Sequence, residues 1–148
     1  MRPTGTPRHE LPVDGVPIRP AATILLVADR PDLHVLTLRR TDASTFVAGH
    51  TLFPGGAVDE GDHDPRWPSL VTGLSASAAA ERLGVADGLG FWTAAVRETL
   101  EEVGVAVGTG DPVLAARLVE GRRDLEAGRI GLVDLIRESG TSLDLSGI

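Results

Sequence analysis

Arg97-Glu98-Thr99-Leu100-Glu101-Glu102-Val103-Gly104-Val105 ends a run that begins at Phe91. Glu98, Glu101 and Glu102 stand at i, i+3 and i+4, so a helix carries the three carboxylates on one face. Like charges at that spacing destabilise an isolated helix by about 0.2–0.5 kcal/mol per pair. A bound divalent cation is the simplest gain that offsets this. Trp92, Val96, Thr99, Leu100 and Val103 fall on the opposite face, so the helix packs on one side and presents acid on the other. Gly104 suits the left-handed residue that ends a helix. A plain solvated amphipathic helix has the same pattern, so the helix alone leaves both readings open.

Upstream of this helix the chain reads as strands. Ala21 to Ala28 is a short apolar, β-branched run and is expected to form a buried strand. Asp29-Arg30-Pro31-Asp32 is a turn, and Leu33 to Arg40 reads as a second strand closing a hairpin. Thr41 to His50 is a loop. Thr51-Leu52-Phe53 is a short strand that runs into Pro54-Gly55-Gly56, where two glycines permit a sharp turn or a close backbone approach. Asp59, Glu60, Asp62 and Asp64 follow, with His63 among them. Ser75 to Leu83 is Ala-rich, with Ser at the N-cap and Gly84 after it, and predicts a short helix. Val105 to Val107 is expected to be a strand. Val113 to Glu120 and Gly131 to Glu138 are expected to be helices.

With 148 residues the chain has length for one domain with a real core. No apolar run approaches the roughly 20 residues of a membrane span, and the N-terminus lacks the apolar centre of a signal peptide. There is no Cys, which excludes disulfides and thiolate metal sites. A cytoplasmic location is the default expectation. The formal net charge is −7, basic residues are scattered and aromatics are 3%, so no nucleic-acid groove is indicated. All 14 basic residues are Arg; Lys, Asn, Gln and Tyr are absent, which reads as codon bias in a GC-rich, bacterial genome. No Lys is present to serve as nucleophile or phosphate clamp. Residues 1–20 hold five of the ten prolines and read as an irregular arm.

Gly56-x5-Asp62 and Arg97-Glu98-Thr99-x-Glu101-Glu102-x-Gly104-Val105 together resemble the Nudix box, G-x5-E-x7-R-E-U-x-E-E-x-G-U, with U a bulky aliphatic. The second half matches at every fixed position but the first U, where Thr99 stands. In the first half Asp62 replaces the Glu. Between Asp62 and Arg97 stand 34 residues where the pattern has seven, an excess of 27. These departures resemble a branch of the Nudix hydrolases with an interrupted box, similar to peroxisomal coenzyme A diphosphatases. Leu36 to Arg40, the loop from Phe46 to Gly49 and the Phe53-Pro54-Gly55-Gly56 lead-in look like that branch too.

The resemblance implies an α/β/α sandwich around a mixed sheet, with residues 21–148 as one Nudix-like domain and 63–90 as a helical insertion at the rim of the site. It implies further strands after the box helix. Few strand signals lie beyond Val107, so C-terminal strands are expected to be lacking. It implies metal-dependent hydrolysis of a diphosphate linkage in a nucleoside-diphosphate compound, of the coenzyme A or acyl-CoA class. Mg²⁺ or Mn²⁺ suits such chemistry, because hard cations prefer carboxylate oxygen and neutralise phosphate charge. Glu98, Glu101 and Glu102, with the Gly56 carbonyl, are the implied metal ligands. Arg97 is expected to orient a box carboxylate, and Arg39, Phe53, Gly55 and Gly56 to face substrate. Asp62 is one methylene shorter than Glu, which leaves open how well it fixes the loop to the helix. His34 and His50 read as strand-end or loop residues, His63 inside the acidic loop stays open between a loop residue and a catalytic group, and Trp67 and Trp92 are expected to pack, with stacking on a base the alternative for Trp67. The partners implied are a small nucleotide-diphosphate substrate and, from exposed sheet edges, a homodimer. The alternative is a Nudix-like domain with an incomplete site that binds nucleotide or serves an interaction.

Overall fold

A computed structural model describes residues 18–39 and 50–148. In chain order the strands β1 (Ala21–Thr23), β2 (Val27–Asp29), β3 (Leu33–Val35), β4 (Leu38–Arg39), β5 (Thr51–Leu52) and β6 (Gly55–Ala57) come first. A 3-10 turn follows at Glu60–His63, then α1 (Trp67–Leu70), β7 (Val71–Thr72), α2 (Ala76–Leu83), α3 (Leu89–Val103), α4 (Pro112–Glu126), α5 (Leu132–Ser139) and β8 (Leu143–Asp144). β1 pairs with β6, β2 with β3 and β4 with β5, all antiparallel; β7 and β8 pair in parallel. The mixed α/β architecture thus carries its sheet as short two-stranded ladders among the described residues.

The expected hairpin forms, with Val27 opposite Val35 and Asp29 opposite Leu33. The expected continuous strand from Ala21 to Ala28 does not. The chain changes partner: Ile24 N–H still donates to the Pro54 carbonyl, and by Val27 the ladder is with β3. Nor is this run buried as a whole. Ala22 is, but Leu25 and Val27 are each 56% exposed. Leu33 to Arg40 divides for the same reason, because β3 folds back on β2 while β4 pairs with β5. Arg40, and the loop up to residue 49, lie outside the described residues, as do residues 1–17 of the predicted arm.

The helices follow their local signals. α2 starts behind Ser75, whose hydroxyl accepts from Ala78 N–H, and ends at Gly84 in the left-handed region. α4 starts behind Asp111, whose carboxylate accepts from Val113 N–H, with Pro112 in its first turn. α3 is the centre of the molecule and packs against β1, β6, the 3-10 turn, α2 and α4. On one side Val96 and Leu100 join Leu114, Leu118 and Ile136 in the main core. Burying such side chains contributes about 1.5–3 kcal/mol each. On the other side Ala94 and Ala95 meet Ala22; their small side chains let the strand approach. Trp67 is buried in the main core and Trp92 packs against it. Val105 to Val107 is not a strand; Ala106 and Val107 pack against the core from an irregular segment. β8 is a strand beyond Val107, held by the Leu145 N–H bond to the Thr72 carbonyl as well as its pairing.

Candidate active site

Asp59 opens the 3-10 turn as its N-cap. Its side chain accepts from the Asp62 N–H, while the Asp62 carboxylate accepts from the Asp59 N–H at 2.9 Å, closing a capping box. This fixes Asp62 at 2% exposure, facing α3. The Thr93 hydroxyl donates to the Asp62 carbonyl at 2.8 Å and locks the turn to the helix.

Arg97 meets this turn from α3. Its Nε donates to Asp62 Oδ1 at 3.0 Å and its Nη2 to Asp62 Oδ2 at 2.8 Å, a side-on bidentate pair. The shorter acid therefore does join the loop to the helix. Nη2 also donates to the Ala57 carbonyl at 2.8 Å, and Nη1 to Glu98 at 2.8 Å and Glu101 at 2.9 Å. Each of the five guanidinium N–H groups thus has a partner. Burial pulls the Arg97 pKa down, but Asp62, Glu98 and Glu101 outweigh it and the net shift is upward.

The acidic stripe faces β6. Gly56 is a position where a side chain has no room: a Cβ there would lie 2.5 Å from the Glu98 carboxyl carbon. Gly55 has φ +154° and its missing Cβ would run into the Ala22 carbonyl. The Gly55 N–H donates to Glu102 Oε2 at 2.9 Å. Burial raises the Glu98 and Glu101 carboxyls above their ordinary value, with Arg97 acting in the opposite direction on both. Far-end support comes from Arg122 of α4, whose Nη2 and Nε donate to the Glu101 carbonyl at 2.6 and 3.0 Å. A cation there satisfies a carbonyl at the negative end of α3.

The donor set suits a hard divalent cation. Every polar group on the stripe is an oxygen, and the cradle over Gly56 is one that a Cβ would fill. Among the described residues, though, no three Asp, Glu or His side chains converge as a ready metal cluster. Arg97 Nη1 lies between Glu98 and Glu101, and Gly55 N–H holds Glu102.

The structure therefore brings together Gly55, Gly56, Arg97, Glu98, Glu101 and Glu102. Arg39 stands apart on β4, exposed and opposite Thr51, and Phe53 is 41% exposed beside the buried Pro54. His63 Nδ1 is 2.5 Å from Asp87 Oδ2 and packs against Gly90, which joins the two ends of residues 63–90. Asp59, Thr93 and Arg122 were not singled out from sequence. The Asp59-x-x-Asp62 spacing is a readable capping signal; the reach of Arg122 across 21 residues leaves no local one.

No protein-family model and no curated protein matches the chain. Among solved structures, the crystal structure of a Nudix hydrolase from Alicyclobacillus acidocaldarius is similar to it, with a TM-score of 0.57 and 27% identity. The match covers 87% of this chain and 58% of that one, so the chain spans less than two thirds of the neighbour's length. The fold is a Nudix-like mixed α/β fold.

Proposed function

We propose that the chain is a Nudix-family pyrophosphohydrolase that cleaves a diphosphate linkage in a nucleoside-diphosphate compound, with the coenzyme A or acyl-CoA class favoured. The observation that carries this reading is the joining of Gly56, Asp62 and the Arg97–Glu102 stretch across residues 63–90, which we take as an insertion in the box. The similarity to a Nudix hydrolase supports it.

In this reading Glu98, Glu101 and Glu102, with the Gly56 carbonyl, would hold Mg²⁺ or Mn²⁺. Such an ion, when bound, supplies charge neutralisation for the phosphates and a lowered pKa for water. The chain's own part is to orient. Arg97, anchored on Asp62, keeps the Glu98 and Glu101 carboxylates in place, and Gly55 N–H fixes Glu102. Gly56 leaves the strand backbone open towards the acidic stripe.

The test is turnover with Mg²⁺ and with Mn²⁺ against coenzyme A, ADP-ribose, NADH and diadenosine polyphosphates. Glu101→Gln is expected to lower kcat by about two orders of magnitude or more, as loss of a group that stabilises transition-state charge does. A second reading, a Nudix-like domain that binds without turnover, is favoured by the absence of a ready three-carboxylate cluster among the described residues. No turnover by folded protein that still binds Mn²⁺ would select it. Residues on the exposed faces of β2 and β3 are the surface a homodimer would cover.

A further inference from the structure

A cleft opens beside the acidic stripe, on the flank of Arg97 that faces the α4–α5 connection. It has a volume of about 570 Å³ and lies between the 3-10 turn, α3 and the α4–α5 connection. Asp62, Arg97 and Glu101 form its near wall, so it adjoins the acidic stripe directly. Leu125, Ile130, Leu132 and Val133 supply apolar lining. None of residues 63–90 lines it. That stretch instead supports the cleft from behind, through the Arg66–Asp134 ion pair at 2.7 Å.

The polar chemistry of this cleft is one-sided. Asp59, Glu101, Asp134 and Glu138 present acceptor oxygens. Arg97 has every N–H spent within the protein. Arg129 is turned back on the Asp124 carboxylate and the Arg123 carbonyl. A second phosphate would meet acceptors and little free positive charge there. An uncharged group with N–H or O–H donors and an apolar body would find partners of both kinds.

We propose that this cleft is the subsite for the non-reacting part of the substrate, an uncharged, amide- or amino-bearing organic group, and that Ile130 sets the size it accepts. The proposal rests on the diphosphatase reading for its role in turnover, but the cleft can be probed without turnover. Pantetheine, an uncharged amide-bearing chain, is the probe, followed by NMR shift changes of the full chain at millimolar ligand, with inorganic phosphate as competitor. Wild type should bind pantetheine, and phosphate should not displace it. Ile130→Trp, which narrows the cleft at the α4–α5 connection, should weaken binding by roughly tenfold or more, the scale of losing a fitted apolar pocket. Ile130→Phe is the smaller plug should the Trp variant not fold. With any substrate that is turned over, the loss should fall on KM and not on kcat. Pantetheine that fails to bind wild type, binds the plugged variant equally well or is displaced by phosphate overturns the proposal. Binding without turnover of any diphosphate would sink the enzyme reading and leave the cleft standing.

Discussion

On one side of α3, Val96 and Leu100 share a core with Leu114, Leu118 and Ile136, none more than 1% exposed. On the other side Ala94 and Ala95 meet β1, beyond which Leu25, Val27 and Leu33 are 56%, 56% and 69% exposed. The same kind of residue is thus spent in two ways. The helical side buries its leucines against partners within the chain. The strand side has comparable apolar content but little to cover it among the described residues. The Asp62–Arg97 pair and the acidic stripe lie on the seam. Arg97 reaches from α3 to the β6 backbone at Ala57 and to the 3-10 turn at Asp62, so a charge network joins the two halves beside the small apolar cluster of Ala22, Ala94 and Ala95.

The sharpest way to break this arrangement is to remove the joint. Arg97→Ala leaves Asp62 buried with no counter-charge, and breaking a buried pair in this way costs about 3–5 kcal/mol. Urea unfolding should show that loss. A change under about 1 kcal/mol would mean that water reaches Asp62 in solution. The two sides can then be compared directly. Leu118→Ala, in the main core, should cost about 2–5 kcal/mol. Leu33→Ala, on β3, should cost about 0.5 kcal/mol or less if its face is solvated. If a second copy covers that face, the Leu33→Ala loss should instead grow with protein concentration, because binding stabilises by mass action.

The difference between the halves also sets what was legible in the sequence. α2 and α3 announce themselves by period and caps: Ser75 and Gly84 bound one, Gly104 ends the other. Those signals are local, so reading them needs no knowledge of partners. The strands depend on partners. AATILLVA has the composition of a buried strand, but which neighbour each residue pairs with, and whether Leu25 and Val27 are covered, is decided by residues distant in sequence. Within the site, Glu98, Glu101 and Glu102 share a helix face and were readable from spacing. The bidentate Asp62–Arg97 pair spans 35 positions, and only the resemblance of the two stretches to halves of one box linked them, because the 34 residues between them break its spacing. The cleft bounded by Ile130 had no such signal, because the α4–α5 connection reaches the box only through the packing of α4 and α5.

The smallest expected effect tests whether the acidic stripe is held against its own stability. Burial raises the Glu98 carboxyl above its ordinary value of 4.5, while Arg97 pulls it the other way. Between 4.5 and the raised value the folded protein binds more protons than the unfolded chain at this site. Stability from Glu98 therefore falls as pH rises through that window and is greatest below it. Glu98→Gln removes this term while keeping the shape. The difference in stability between wild type and variant should shift towards the variant as pH rises from 4.5 to neutrality. Adding Mn²⁺ at neutral pH should then stabilise wild type more than Glu98→Gln, since an ion that binds only the folded state shifts the balance towards it. A difference curve that moves towards wild type as pH rises would instead mean that Arg97 outweighs burial at Glu98, and the stripe would then be an ion-pair network in its own right.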